Sequence, residues 1–151
     1  MTKTRISLNS FMARAPKPYR YLDHTADLGV EVSGKTLPEL LANTGRAIFE
    51  TQIHGKLRTH KEKSINLQSD SLEDLFIDWC RELLYNFSVH GFIPRDYEIS
   101  VEDFAIHANL RGDIYDAKRH RVRIEIKNPT YHNLAIEKIE DGFCARIIFD
   151  V

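Results

Sequence analysis

Residues 23–29 read Asp-His-Thr-Ala-Asp-Leu-Gly and lead into Val30-Glu31-Val32-Ser33-Gly34. Two carboxylates (Asp23, Asp27), an imidazole (His24) and a hydroxyl (Thr25) fall within five positions, and the chain then passes through Gly29 into strand-like alternation. A functional loop carried on a rigid strand has this form. The chemistry such groups could do is metal-assisted activation of water, with His24 as the nearest candidate base. That would make the chain a free-standing metal-dependent hydrolase, but its other candidate bases are scattered and it has no Gly-x-x-x-x-Gly-Lys loop to cradle phosphate. Asp and Thr are equally the residues whose side chains bond nearby backbone N–H groups in turns, so the segment also reads as loop punctuation.

The elements that must hold this loop are legible from capping signals and periodicity. Thr36-Leu37-Pro38-Glu39 combines an N-cap, a first-turn proline and a glutamate three residues on, predicting a helix. Leu37, Leu40, Leu41, Ala47, Ile48 and Ile53 give it an apolar stripe to about residue 53, where His54-Gly55 ends it. Lys63 to Gln68 alternates, and Ser71-Leu72-Glu73-Asp74 then starts a second helix over about residues 72–88. Leu72, Leu75, Phe76, Trp79, Leu83 and Phe87 recur at threes and fours on its buried face, which makes Trp79 a core anchor, and His90-Gly91 stops it. From Tyr97 onward the pattern is strand: 99–101, 105–110, Val122 to Lys127, 134–139 and 143–151, with Glu140-Asp141-Gly142 as a tight hairpin turn. Two helices packed on a mostly antiparallel β-sheet predict an α+β, sandwich-like single domain.

A chain of 151 residues is one domain's worth and long enough to bury a core without staples. Its formal charge of −1 gives no field strong enough to hold a nucleic-acid backbone by itself, so stable stand-alone RNA binding is not expected. Its only cysteines, Cys80 and Cys144, form no CxxC or disulfide framework, which fits a reducing cytoplasm, and no apolar run is long enough for a membrane span. Residues 1–18 read as a disordered leader without a secretion signal, and the folded domain is expected over 19–151. The acid-free, Arg/Ser/Thr-rich composition of that leader also occurs in organelle-type leaders.

Three separated segments together resemble the archease family: residues 23–29, Glu125-Ile126-Lys127-Asn128-Pro129-Thr130-Tyr131-His132, and the closing Ala145-Arg146-Ile147-Ile148-Phe149-Asp150-Val151. The resemblance runs in order from about residue 20 to 151. It implies a small, non-catalytic accessory protein of the GTP-dependent RNA-splicing ligase, used in tRNA splicing and RNA repair. Archease promotes guanylylation and multiple turnover of that ligase, and it meets RNA only indirectly, through its partner. By position, Asp27, Asp150 and Val151 match the family's divalent-cation ligands, Val151 through its main-chain carboxylate. Such all-oxygen donors suit Ca²⁺, Mg²⁺ or Mn²⁺ and not a closed zinc site. Lys127 matches a functionally important basic position, and Asp23, His24 and His132 are supporting motif residues. The family usually writes Lys-Ala-x-Thr-Tyr where this chain has Lys127-Asn128-Pro129-Thr130-Tyr131, so the proline bears on how Lys127 is aimed. Residues 112–120 also resemble the family, which commonly has glutamate in place of Asp113, without suggesting a mechanism. A chaperone-like protein-binding module, using exposed sheet surface and no metal, is the remaining alternative.

Overall fold

The computed structural model describes residues 18–22 and 27–151; residues 1–17, nearly all of the expected leader, and 23–26, with Asp23 and His24, lie outside the described residues. The elements in order are β1 (Tyr19–Leu22), β2 (Leu28–Gly34), α1 (Leu37–Gln52), β3 (Ile53–His54), β4 (Lys61–Gln68), α2 (Leu72–His90), β5 (Phe92–Glu102), β6 (Ala105–Ile114), β7 (Arg121–Val122), β8 (Asn128–Ile139) and β9 (Gly142–Asp150). They form a four-stranded sheet ordered β1-β2-β9-β8, a three-stranded sheet β4-β6-β5, and the short pair β3-β7. Every pairing is antiparallel, as expected for an α+β fold.

Both helices begin as their capping residues dictate. The Thr36 hydroxyl accepts from the Glu39 N–H and the Ser71 hydroxyl from the Asp74 N–H, each satisfying an otherwise orphaned donor of the first turn. Gly91 closes α2 at φ 69°, a left-handed conformation that a side chain would oppose. Each helix contacts strands of both larger sheets: α1 touches β2, β9 and β5, while α2 touches β8, β4, β5 and β6. Trp79 is fully buried, and its indole N–H donates to the Leu41 carbonyl at 2.9 Å, so one side chain fills the core and ties the helices together. Truncating such a residue to alanine typically costs about 3–5 kcal/mol.

The strand expected over Val122 to Lys127 is not formed. Only Arg121–Val122 is strand, the next five residues are irregular, and β8 begins at Asn128. The reason is competition for backbone hydrogen bonds. Gln52, at the end of α1, accepts the Arg123 N–H on its carbonyl and the Ile126 N–H on its side-chain oxygen, drawing the segment away from any ladder. Pro129 sits inside β8, which the sheet tolerates because β8 is an edge strand.

Candidate functional site

The four-stranded sheet brings the expected metal-ligand positions together through strand register. In the β2–β9 ladder Leu28 faces Phe149, so Asp27 stands one step beyond that pair, where Asp150 follows Phe149. In the β9–β8 ladder Asp150 faces Asn128, and the Lys127 N–H donates to the Asp150 carbonyl at 2.8 Å. Three segments distant in sequence thus lie side by side at one end of the sheet. Alternation sets the faces: Phe149 and Pro129 are buried on the helix side, and Asp150 and Asn128 are exposed on the other. Asp27 is half-buried, and Lys127 and Val151 are exposed.

Among the described residues no three His, Cys, Asp or Glu side chains form a metal-binding group. Two carboxylates one step beyond the same Leu28–Phe149 pair, with a main-chain carboxylate following Asp150, would offer an oxygen-only donor set that fits a hard divalent cation. Farther along the same outer face, Glu31 takes hydrogen bonds from Arg20 at 2.7 Å and Arg146 at 3.1 Å, a cross-strand trio spanning β1, β2 and β9. Burial alone would raise the Glu31 pKa, but the two guanidinium groups outweigh it and hold the carboxyl below its ordinary value.

A bulge decides which residue of β8 meets Asp150. Between the paired positions Thr130–Ile148 and Ala135–Arg146, β8 spends four residues where β9 spends only Ile147. The hairpin register running back from Ile139–Gly142 would otherwise set Tyr131 opposite Asp150. The three extra residues bring Asn128 there instead and Lys127 beside it. The bulge is pinned where it begins: the Thr130 hydroxyl donates to the Ile148 carbonyl at 2.8 Å, and the Tyr131 hydroxyl donates to Asp74 at 2.6 Å. Arg81 lies over the Tyr131 ring at 5.9 Å, and Asn133 turns the chain at φ 55°. His132 is exposed within this bulge, its Nε2 3.4 Å from the Asn133 amide, a placement suited to shaping the loop.

The model of the Archease protein family (MTH1598/TM1083) matches residues 19–151. The chain belongs to the archease family. It is 36% identical over 146 residues to "Protein archease" of Methanosarcina barkeri, covering 93% of this chain and all of that protein. Its identity to the Methanosarcina acetivorans archease is 37% over 141 residues, covering 89% of this chain and 97% of the relative. The solution structure of Methanobacterium thermoautotrophicum protein 1598 superimposes with a TM-score of 0.74 at 25% identity, covering 90% of this chain and 100% of that one. A Thermotoga maritima crystal structure, described as an archease and possible chaperone, gives 0.61 at 26% identity, covering 92% and 98%.

The structure supplies a role for the archease-like tract 112–120. Asp113 is fully buried and receives both guanidinium nitrogens of Arg119, at 2.9 and 3.1 Å, with the Arg58 N–H at 2.9 Å and the Ile114 N–H at 2.8 Å. Burial would raise its pKa, but the Arg119 pair and the two backbone donors outweigh that and hold it well below the usual carboxylate range. His120 packs alongside: its Nδ1 accepts from the Asp116 N–H at 3.0 Å, which leaves Nε2 as the protonated nitrogen, 3.2 Å from the Lys56 carbonyl. This hub fastens the loop after β3 to the loop after β6. Sequence reasoning also missed Gln52, which positions the segment leading to Lys127; a glutamine ending an amphipathic helix gives no signal of that role.

Proposed function

We propose that this archease-family protein is a non-catalytic activator of a GTP-dependent RNA-splicing ligase, acting in the cytoplasm in tRNA splicing and RNA repair. The observation that carries the proposal is the convergence of Asp27, Asp150 and Lys127 at one end of the sheet, in a chain whose family membership is established. Asp27, Asp150 and the Val151 carboxylate would hold a divalent cation, Ca²⁺, Mg²⁺ or Mn²⁺, which supplies positive charge able to orient an acidic or phosphate-bearing group of the partner. This chain's own contribution is positional. β9 holds Asp150 between its two neighbours, Gln52 and the β8 bulge set the backbone of Lys127, and Lys127 presents a cation on a flexible stem at the edge of the site. Nucleotidyl transfer draws much of its rate from positioning and charge neutralisation, so a rigid surface of this kind can assist without a reacting group of its own.

The test follows covalent GMP on the ligase and the number of RNAs sealed per enzyme, with and without this protein. Multiple turnovers are expected only in its presence, and Asp27→Ala or Asp150→Ala should remove the activation while leaving the ligase's slow first turnover. Equal turnover by the ligase alone, or RNA processing by this protein unaided, would overturn the proposal. The description of the Thermotoga protein as a possible chaperone favours a second reading, a protein-binding module, which predicts ligase protection without stimulation of guanylylation.

A further inference from the structure

The charge of the chain is segregated in a way its total of −1 conceals. Residues 54–63 carry four Lys or Arg against one Glu, and residues 111–123 carry five against two Asp, a net +6 over 23 residues. The fold sets these two segments against each other. Ile53–His54 pairs with Arg121–Val122, Lys61 faces Gly112, and the Asp113 and His120 contacts bind the loops between them. Asp113 is neutralised by Arg119, and Arg111 stands opposite Glu62 in the β4–β6 ladder, so neither arginine belongs to the free charge. Lys56, Arg58, Lys61, Lys118 and Arg121 are exposed, and among the described residues none of them has a salt-bridge partner.

A groove of about 450 Å³ borders this surface, lined by Arg46, Phe49, Ile53, Leu57, Pro94 and Arg95, with Glu50 and Asp96 balancing the two arginines. Its mixed lining, near-neutral in charge, can take an uncharged planar group, and arginine planes stack readily on bases. The cations outside it suit phosphates. From there Arg121 and Arg123 lead along the irregular segment to Lys127 and Asp150.

We infer that this basic face binds single-stranded RNA, phosphates on Lys56, Arg58, Lys61, Lys118 and Arg121 and a base in the adjoining groove, and directs the strand toward the Asp27–Asp150–Lys127 end. An acidic protein is the less suitable occupant, because the one large exposed hydrophobic within these segments is Val122, with Ile124 just beyond, whereas protein interfaces anchor on aromatic side chains. That the strand is RNA rests on the activator reading; the phosphate contact rests on the surface alone.

The experiment is fluorescence anisotropy of a short unstructured RNA with this protein and no ligase, so its outcome is separate from that of activation. Five phosphate contacts predict a log–log salt slope of about −3.5, a loss of roughly 100-fold in affinity between 50 and 200 mM salt. Lys56→Glu/Lys118→Glu/Arg121→Glu should weaken binding at least tenfold at 50 mM and flatten the slope, and the neutral triple Gln variant should do the same more mildly, both melting as wild type does. Undetectable binding, or binding indifferent to the neutral variant, would overturn the inference. So would equal binding to duplex RNA, or displacement of RNA by polyglutamate of matched charge.

Discussion

Replacing Asp113 by asparagine keeps the volume of a fully buried side chain and removes its charge. The amide offers one acceptor oxygen where the carboxylate offered two, and its NH₂ must face one Arg119 nitrogen together with one backbone N–H, that of Arg58 or that of Ile114. Breaking a buried pair by removing one partner costs about 3–5 kcal/mol, a large part of the ~5–15 kcal/mol that holds an ordinary domain. For a chain of this size each kcal/mol is worth about 2–4 °C, so the melting temperature should fall by roughly 6–20 °C. Asp113→Glu keeps the charge but must fit an extra methylene; if charge pairing dominates, Glu is the milder change. Urea and thermal unfolding of the three proteins decide the matter. A loss below about 1 kcal/mol for Asn, or a greater loss for Glu than for Asn, would refute the reasoning. The pH dependence has a definite sign. A carboxyl whose folded pKa lies below its unfolded value of about 4 stabilises the fold above that pH, and the contribution drains away as pH falls toward the folded value. Glu31 acts in the same direction. Wild type should therefore lose stability steeply below about pH 4, and Asp113→Asn less steeply.

At the candidate site, calorimetric titration of Ca²⁺ or Mn²⁺ should show binding to wild type that Asp27→Ala abolishes or greatly weakens; equal affinity would remove the metal site. Residues appended after Val151 should weaken the same titration, since they convert its carboxylate to an amide. Lys127→Ala should leave stability within about 0.5 kcal/mol, as an exposed side chain predicts, and lower ligase activation; destabilisation with activation intact would reverse the role assigned to it. Deleting residues 131–133 should close the β8 bulge while keeping Asn128 opposite Asp150 and Lys127 beside it, because the hairpin register and the register at the site then coincide; metal binding and activation should both persist. Loss of activation with metal binding intact would show that the bulge itself, and not only the position of Lys127, is needed.

Much of the fold was legible because local chemistry agrees with it. Thr36, Ser71 and Gly91 are residues whose caps could be read directly, and the spacing of Leu75, Phe76, Trp79 and Leu83 has only one helical solution. The segment 122–127 misled because Val122, Ile124 and Ile126 alternate as a strand does, yet Val122 and Ile124 are exposed and only Ile126 is buried. Periodicity reports which residues could share a face; it does not report that Gln52, some seventy positions earlier, takes the backbone hydrogen bonds. The hub around Asp113 was invisible for the same reason, since its partners Arg58, Arg119 and His120 become neighbours only when two loops close. The basic face was hidden by a total charge near zero.

The candidate site depends on both kinds of information. Asp27 and Asp150 meet because β2 and β9 pair without interruption from Leu28 to Gly34, so the tail of one motif comes to the head of another by counting rungs. Lys127 does not follow from counting. A hairpin at Glu140–Asp141 fixes the β8–β9 register at the far end, and a shift of three residues is then inserted between that turn and the site. Because three is odd, the shift also exchanges which face each residue of β8 presents, putting Pro129 inward against the core and leaving Asn128 outward beside Asp150. Pro129 consequently does not disturb the approach of Lys127. It occupies an edge-strand position on the buried face and holds Asn128 extended, the geometry in which the Lys127 N–H reaches the Asp150 carbonyl.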